Sequence, residues 1–434
     1  MAVVGQRVDV AQVRLWGHDI GAVFWDEPAG VGAFEYEPAF QSSGIELAPL
    51  MMPLGPQIHR FLSHAGTSFQ GLPGLLADSL PDDFGNAVID QWLAREGRDL
   101  GSFSPVERLC YIGTRGTGAL EFRPATRRAP RGSVPIEIES LVKLAGRVLR
   151  QRDGLHVSPD TGHAMDDMLR VGASAGGARA KAVIAWNPET DEMRSGQVEA
   201  PVGFEYWLLK FDGVDNQEHG VHDPQGYGLI EYAYYKMALA AGIQMAECRL
   251  LHEGGRSHFM TRRFDRDQQG QKRHMQSLAA MAHLDHQMAG AHSYEQAMQV
   301  IFDLTMPLTA LEQQFRRMVF NVIARNQDDH TKNIAFLMNK EGIWTLAPAF
   351  DMNYAYNPNG AWTSRHQMTI NGKRDEFSMQ DIGAVANRFG IRNSRDCVSD
   401  VEEAVASWKE IARDAGVNSN VATRIAGTHR LKFK

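Results

Sequence analysis

Asp328, Asn333 and Asp351 have the side-chain types and the spacing that phosphoryl transfer requires. Such a reaction needs one carboxylate to accept or orient a hydroxyl proton. It also needs an amide and a second carboxylate as hard oxygen ligands for magnesium. The Asp-x4-Asn interval matches a kinase catalytic loop, and the later aspartate occupies the place of the metal-binding one. A hairpin would bring them together. Two short apolar runs, Ile334 to Met338 and Ile343 to Leu346, flank Asn339-Lys-Glu-Gly342, a turn whose glycine supplies a positive φ. Closing it carries Asn333 near to where Asp351 arrives. Upstream, Leu311, Phe315, Met318, Val322 and Ile323 recur at helical spacing and deliver Asn326-Gln-Asp328 as a loop beside the hairpin. The competing reading is that Asp and Asn at loop ends are caps and turns. Asp329 suits that role better than Asp328, and His330 and Lys332 also read as solvated or hydrogen-bonded loop residues. A second nucleotide-binding signal is therefore needed.

Residues 169 to 270 supply one. Ser174-Ala-Gly176-Gly177-Ala-Arg179-Ala-Lys181 leads straight into the strand-like run Ala182 to Trp186. A Gly-rich turn closing on lysine can cradle phosphates with backbone N–H groups. Its spacing is not that of a Walker motif, and a plain hairpin turn has the same signature. The next strand, Tyr206 to Phe211, puts Lys210 at the end of an apolar run. Lysines are seldom buried unpaired, so Lys210 either snorkels or meets an anion. Glu231, opening a helix that runs to Gly242, is either that partner or a first-turn acid favoured by the helix dipole. His258 to Arg266 then reads as a strand with a polar tail. Gly-rich loop, strand lysine, helix glutamate, connecting strand, helical region, Asp-x4-Asn, aspartate: this is the order of a protein-kinase-like phosphotransferase.

The rest of the chain has to hold these parts. Its 434 residues allow two or more domains and a sizeable core. A net charge of −7 gives no general reason to bind nucleic acid or an anionic membrane. Cys110, Cys248 and Cys397 are odd in number and far apart, so neither a disulfide framework nor a zinc site follows. With no signal peptide and no long apolar run, a cytoplasmic location is expected. Residues 1–124 read as a small antiparallel sheet plus helices, the strands lying around Val10 to Leu15, Ile20 to Trp25 and Phe34 to Tyr36. A helix carrying Phe84, Val88 and Trp92 ends at Gly97, and another starts at a capping box, Ser104-Pro-Val-Glu107. Gly113 to Gly118 follows a helix and reads as a turn. Apolar residues near Leu47 to Leu54 face a partner or pack between domains. Residues 125–135 are basic, Pro-rich and aperiodic, a linker. Residues 136–270 then form the ATP-binding part and 271–434 a helical lobe, whose last helices bury Val398, Val401, Val405 and Trp408.

The chain resembles the HipA family of bacterial serine/threonine kinases, toxins of type II toxin–antitoxin modules. The likeness rests on Gly71 to Gly85 and Gly118-Ala-Leu-Glu-Phe122, then on Ser174 to Lys181, Leu208-Leu-Lys210 and Arg263-Phe-Asp-Arg266. Asn326 to Asn333, Phe350-Asp351 and Asn371-Gly-Lys373 complete it. The resemblance implies an α+β fold of the two-lobed protein-kinase-like kind, with an N-terminal sheet-and-helix subdomain and a mainly helical C-terminal lobe. It implies that Asp328 is the catalytic base, that Asn333 and Asp351 hold Mg2+, and that Lys210 contacts the phosphates of ATP. Lys181 and the backbone of Ala175, Gly176, Gly177 and Ala178 would close over those phosphates. His330 counts among the nucleotide-binding positions, and Phe264 and Asp265 would lie at the hinge holding adenine and ribose. Ser174 would be autophosphorylated, shutting the enzyme off, because a dianionic phosphate cannot share space with those of ATP. The expected partners are a HipB-like helix-turn-helix antitoxin, DNA mainly through that antitoxin, and a protein substrate, for which an aminoacyl-tRNA synthetase is a family precedent. No membrane is expected. His330 follows the base rather than preceding it and Phe350-Asp351-Met352 replaces Asp-Phe-Gly, so ordinary activation-loop control is not expected. A small-molecule phosphotransferase and a pseudokinase co-repressor in an antitoxin–DNA complex are the alternative readings.

Overall fold

Alternating apolar and polar residues build the first sheet. Strand β1 (Val10–Leu15) turns Ala11, Val13 and Leu15 inward and leaves Val10 exposed. With β2 (His18–Asp26), β3 (Val31–Tyr36), β4 (His59–Arg60) and β5 (Leu120–Arg123) it forms an antiparallel sheet in the order β4-β3-β2-β1-β5. This computed structural model describes residues 7–95, 97–126, 132–150, 179–214 and 225–433. The fold is α+β, as expected.

A second antiparallel sheet carries the lysines. It contains β6 (Lys181–Trp186), β7 (Met193–Ser195), β8 (Glu205–Lys210), β9 (Cys248–Glu253) and β10 (Arg256–Arg262), ordered β7-β6-β8-β10-β9. Its register sets Lys181 directly opposite Lys210. Like charges so placed repel, so this corner of the sheet requires carboxylates around it. Helices Asp83–Arg95 and Ile138–Arg150 cover the sheet, where Phe84, Val88 and Leu93 share a core with Ile184, Trp207 and Leu209, while helix Pro105–Ile112 packs on β1, β2 and β5 of the first sheet. The Ser104–Glu107 capping box is formed.

The hairpin is a three-stranded sheet. Strands β12 (Ala335–Met338) and β13 (Trp344–Leu346) pair antiparallel across a turn with Gly342 at φ +80°. On the far side β12 pairs with β11 (His274–Ser277), a strand the sequence pattern had not disclosed. Behind it, helix Leu308–Ile323 packs with helices Tyr227–Ala240, Ser394–Ala406 and Trp408–Asp414 in the main core.

The segment from Leu47 packs within the chain. Leu47, Ala48 and Met52 are buried, Trp344 Nε1 donates to Glu46 O at 3.1 Å, and Gln276 Nε2 donates to Leu47 O. Leu47, Ala48 and Met52 thus pack inside the chain against the hairpin sheet, while Leu50, Met51 and Leu54 are half-buried. Among the described residues no helix is long and apolar enough to cross a membrane.

Candidate active site

Lys210, at the end of β8, does meet anions: its Nζ lies 2.5 Å from Glu231 Oε1 and 2.6 Å from Asp351 Oδ1. Burial opposes the ammonium, but the Asp351 and Glu231 carboxylates outweigh it and hold the lysine pKa above its usual range. In turn, burial would raise the Asp351 carboxyl, yet Lys210 holds it well below the usual carboxylate range. Glu231 does not open its helix, which begins at Tyr227. Asp212 starts it early: its Oδ1 accepts the Gly226 and Gly228 N–H groups at 2.9 and 3.3 Å, a long-range cap. Glu231, 2% exposed, is therefore the lysine's partner, and the first-turn explanation falls away.

The Asp328–Asn333 loop is held by a hydrogen bond from its own last side chain back to its first carbonyl. Asn333 Nδ2 donates to Asp328 O at 2.9 Å, which leaves the Asn333 side-chain oxygen without a partner among the described residues. Asp351 sits at φ +54°, a conformation Asp tolerates better than most residues. Asn333, Asp351, His330 and Asp329 line one cavity. Both side chains carry hard oxygens of the kind magnesium takes.

Asp328 keeps its side chain 37% exposed. Desolvation in the cleft nevertheless raises its pKa, helped by the charges of Asp351 and Asp329 and opposed by His330 and Trp362. Trp362 Nε1 donates to Asp328 Oδ1 at 2.6 Å. His330 Nε2 is 3.9 Å from the same oxygen, beyond hydrogen-bonding range. Asp329, 3% exposed, is a hub rather than a helix cap: it accepts from Tyr294 Oη at 2.8 Å, from His366 Nδ1 at 2.7 Å and from Gln367 N at 2.8 Å.

Two further expectations meet a different arrangement. Lys181 Nζ pairs with Asp82 Oδ2 at 2.8 Å, both side chains 2% exposed, so its charge is directed at the segment Gly71 to Gly85. The Asp265 carboxylate is saturated by Arg263, Arg266 and the Gly118 N–H, whose contacts run from 2.6 to 2.9 Å. It clamps the Gly113–Gly118 turn. Phe264 packs beside Phe350, ring centroids 5.5 Å apart. Ser174, Ala175, Gly176, Gly177 and Ala178 lie outside the described residues.

Residues 173–412 match the family model of the HipA-like C-terminal domain, and residues 11–123 match that of the HipA N-terminal domain. The chain belongs to the HipA family. Among solved structures, HipA of Shewanella oneidensis MR-1, from a complex described as a toxin–antitoxin system of HipA, HipB and operator DNA, superimposes with a TM-score of 0.66. The two share 17% identity over 96% of this chain and 94% of the other. The Helicobacter pylori proinflammatory kinase CtkA aligns at a TM-score of 0.34 and 12% identity, over 52% of this chain and 88% of its own. No curated protein sequence matches. Within this HipA framework three contributors escaped the sequence reading: Asp82, Trp362 and Arg179. Arg179 stands 3.5 Å over the Tyr227 ring and 3.6 Å from Glu231 Oε2. Its closeness to Lys181 in the Gly-rich segment was the one available signal.

Proposed function

We propose that this HipA-family chain is an ATP- and magnesium-dependent serine/threonine protein kinase, the toxin of a toxin–antitoxin pair. The observation that carries the reading is the junction of Lys210, Glu231 and Asp351 beside the Asp328–Asn333 loop, because phosphoryl transfer depends on such positioning and charge neutralisation. Lys210, oriented by Glu231, exchanges Asp351 for a phosphate oxygen. Asn333 and Asp351 would hold magnesium, which when bound neutralises charge on the phosphates. The acceptor hydroxyl oxygen bonds to the γ-phosphorus as the bond to the bridging oxygen breaks. ADP leaves, and Asp328 takes the hydroxyl proton. At the hinge, adenine and ribose would meet Phe264 and the backbone around Asp265, since that carboxylate is committed elsewhere.

The likeness to a HipA that assembles with HipB and operator DNA supports a HipB-like antitoxin as partner. The net charge of −7 agrees with DNA being reached through that antitoxin. Intact mass and peptide mapping before and after ATP with magnesium test the reading. One phosphate appearing at Ser174, and absent in Asp328→Asn with ATP binding retained, is the expected result. Equal transfer by Asp328→Asn would overturn the assignment of the base. No transfer and no ATP binding by the unaltered protein would overturn the kinase.

A further inference from the structure

The loop following Asp351 is stitched to the catalytic loop on both sides of Asp328. Before it, Gln367 Nε2 donates to Gln327 O at 3.1 Å. After it, Asp329 receives the His366 ring and the Gln367 N–H. Gln367 Nε2 also donates to Trp362 O at 2.6 Å, so one amide grips both the base's neighbour and the tryptophan that touches the base. The indole N–H then meets Asp328 Oδ1 at 2.6 Å. Asp328 Oδ2 has no hydrogen-bond partner among the described residues.

We infer that Trp362 is a positioning residue for Asp328: its indole N–H pins Oδ1 and so presents Oδ2 to the acceptor hydroxyl. The inference rests on the kinase reading above. A carboxylate on a short side chain can rotate about its terminal bond, which is broad and two-fold. A single strong donor on one oxygen removes that freedom before substrate arrives, and a base acts only from within hydrogen-bond reach of the proton it takes. Indole suits the role because it is a donor only and cannot take the proton itself. The stitching explains how the loop can be in place without a phosphorylated activation segment.

Two variants separate the N–H from the ring. Trp362→Phe keeps an aromatic group. Replacing the Trp362 side chain with β-(3-benzothienyl)alanine exchanges only the N–H for sulfur and guards against a folding defect in the first. The expected result in both is a fall of about 10- to 100-fold in the transfer rate at saturating ATP, with the ATP concentration for half-rate and the binding of ATP with magnesium unchanged. An activity-independent readout is the indole 1H–15N signal of Trp362, identified by its loss in Trp362→Phe. It should move upfield in Asp328→Asn as the charged acceptor disappears. An unchanged transfer rate in the benzothienyl variant, or an indole signal indifferent to Asp328→Asn, overturns the inference. A faster rate also overturns it, and makes Trp362 a plug occupying the place of the substrate. Absence of transfer in the unaltered protein overturns the kinase reading and this catalytic role together, while the indole signal still reports whether the contact exists.

Discussion

The Lys181 ammonium lies 2.8 Å from Asp82 Oδ2, and the two side chains are buried together between the Gly71–Gly85 segment and the second sheet. Burial outweighs the lysine's charge and raises the Asp82 pKa, the signature of a pair whose desolvation is costly. Removing either one takes a buried counter-charge away from the other. Asp82→Ala or Lys181→Met should each lower stability by about 3–5 kcal/mol, whereas Asp82→Leu combined with Lys181→Met should be close to neutral. Urea unfolding of the four proteins checks this. Additive losses in the paired variant would show that the two residues do not act as a pair.

Glu231 and Asp351 both hold the Lys210 ammonium. Glu231→Gln preserves shape and removes the charge, so Lys210 should lean toward Asp351 and meet phosphate less readily. A loss of about tenfold in affinity for ATP, roughly 1.4 kcal/mol, is expected from calorimetric titration. Unchanged affinity would confine Glu231 to a structural part.

Asp265 predicts a pH dependence. Burial would raise its carboxyl, but Arg263 and Arg266 hold it well below the usual range. A carboxylate whose folded pKa is depressed stabilises the fold above its unfolded pKa, about 3.9, and loses that contribution as pH falls toward the folded value. Asp265→Asn should therefore be less stable than the unaltered chain by about 3 kcal/mol across pH 5 to 8. The gap should narrow below about pH 4. Chemical unfolding at stepped pH measures it, and a gap that widens in acid would contradict the clamp.

Gly228 tests how the helix bearing Glu231 is seated. A Cβ there would stand 2.0 Å from Ser257 O, a strand carbonyl that cannot swing aside as a side chain would. Gly228→Ala should destabilise by about 1–3 kcal/mol and, by shifting the helix, also slow phosphoryl transfer. A thermal melt and a transfer assay read the two effects separately.

Much of the site was legible because its local rules are strong. Short apolar runs either side of a glycine turn specified the hairpin joining Asn333 to Asp351. Helical spacing specified Leu308–Ile323, and the scarcity of unpaired buried lysines led from Lys210 to an anion. Where the reading went astray, a distant residue had intervened. Asp212 moved the helix start from Glu231 to Tyr227, and β11 joined the hairpin from far upstream.

By itself, then, the sequence determined which residues have the side-chain types that phosphoryl transfer would need and most of the secondary elements that hold them, since turn chemistry and hydrophobic period act between near neighbours. The partner each charge takes was decided only by the tertiary structure. Lys181 was drawn to Asp82, Asp265 to two arginines, and Asp328 to the indole of Trp362. A buried charge is satisfied by whatever donor or acceptor packing brings within about 3 Å, and packing is settled by the whole chain.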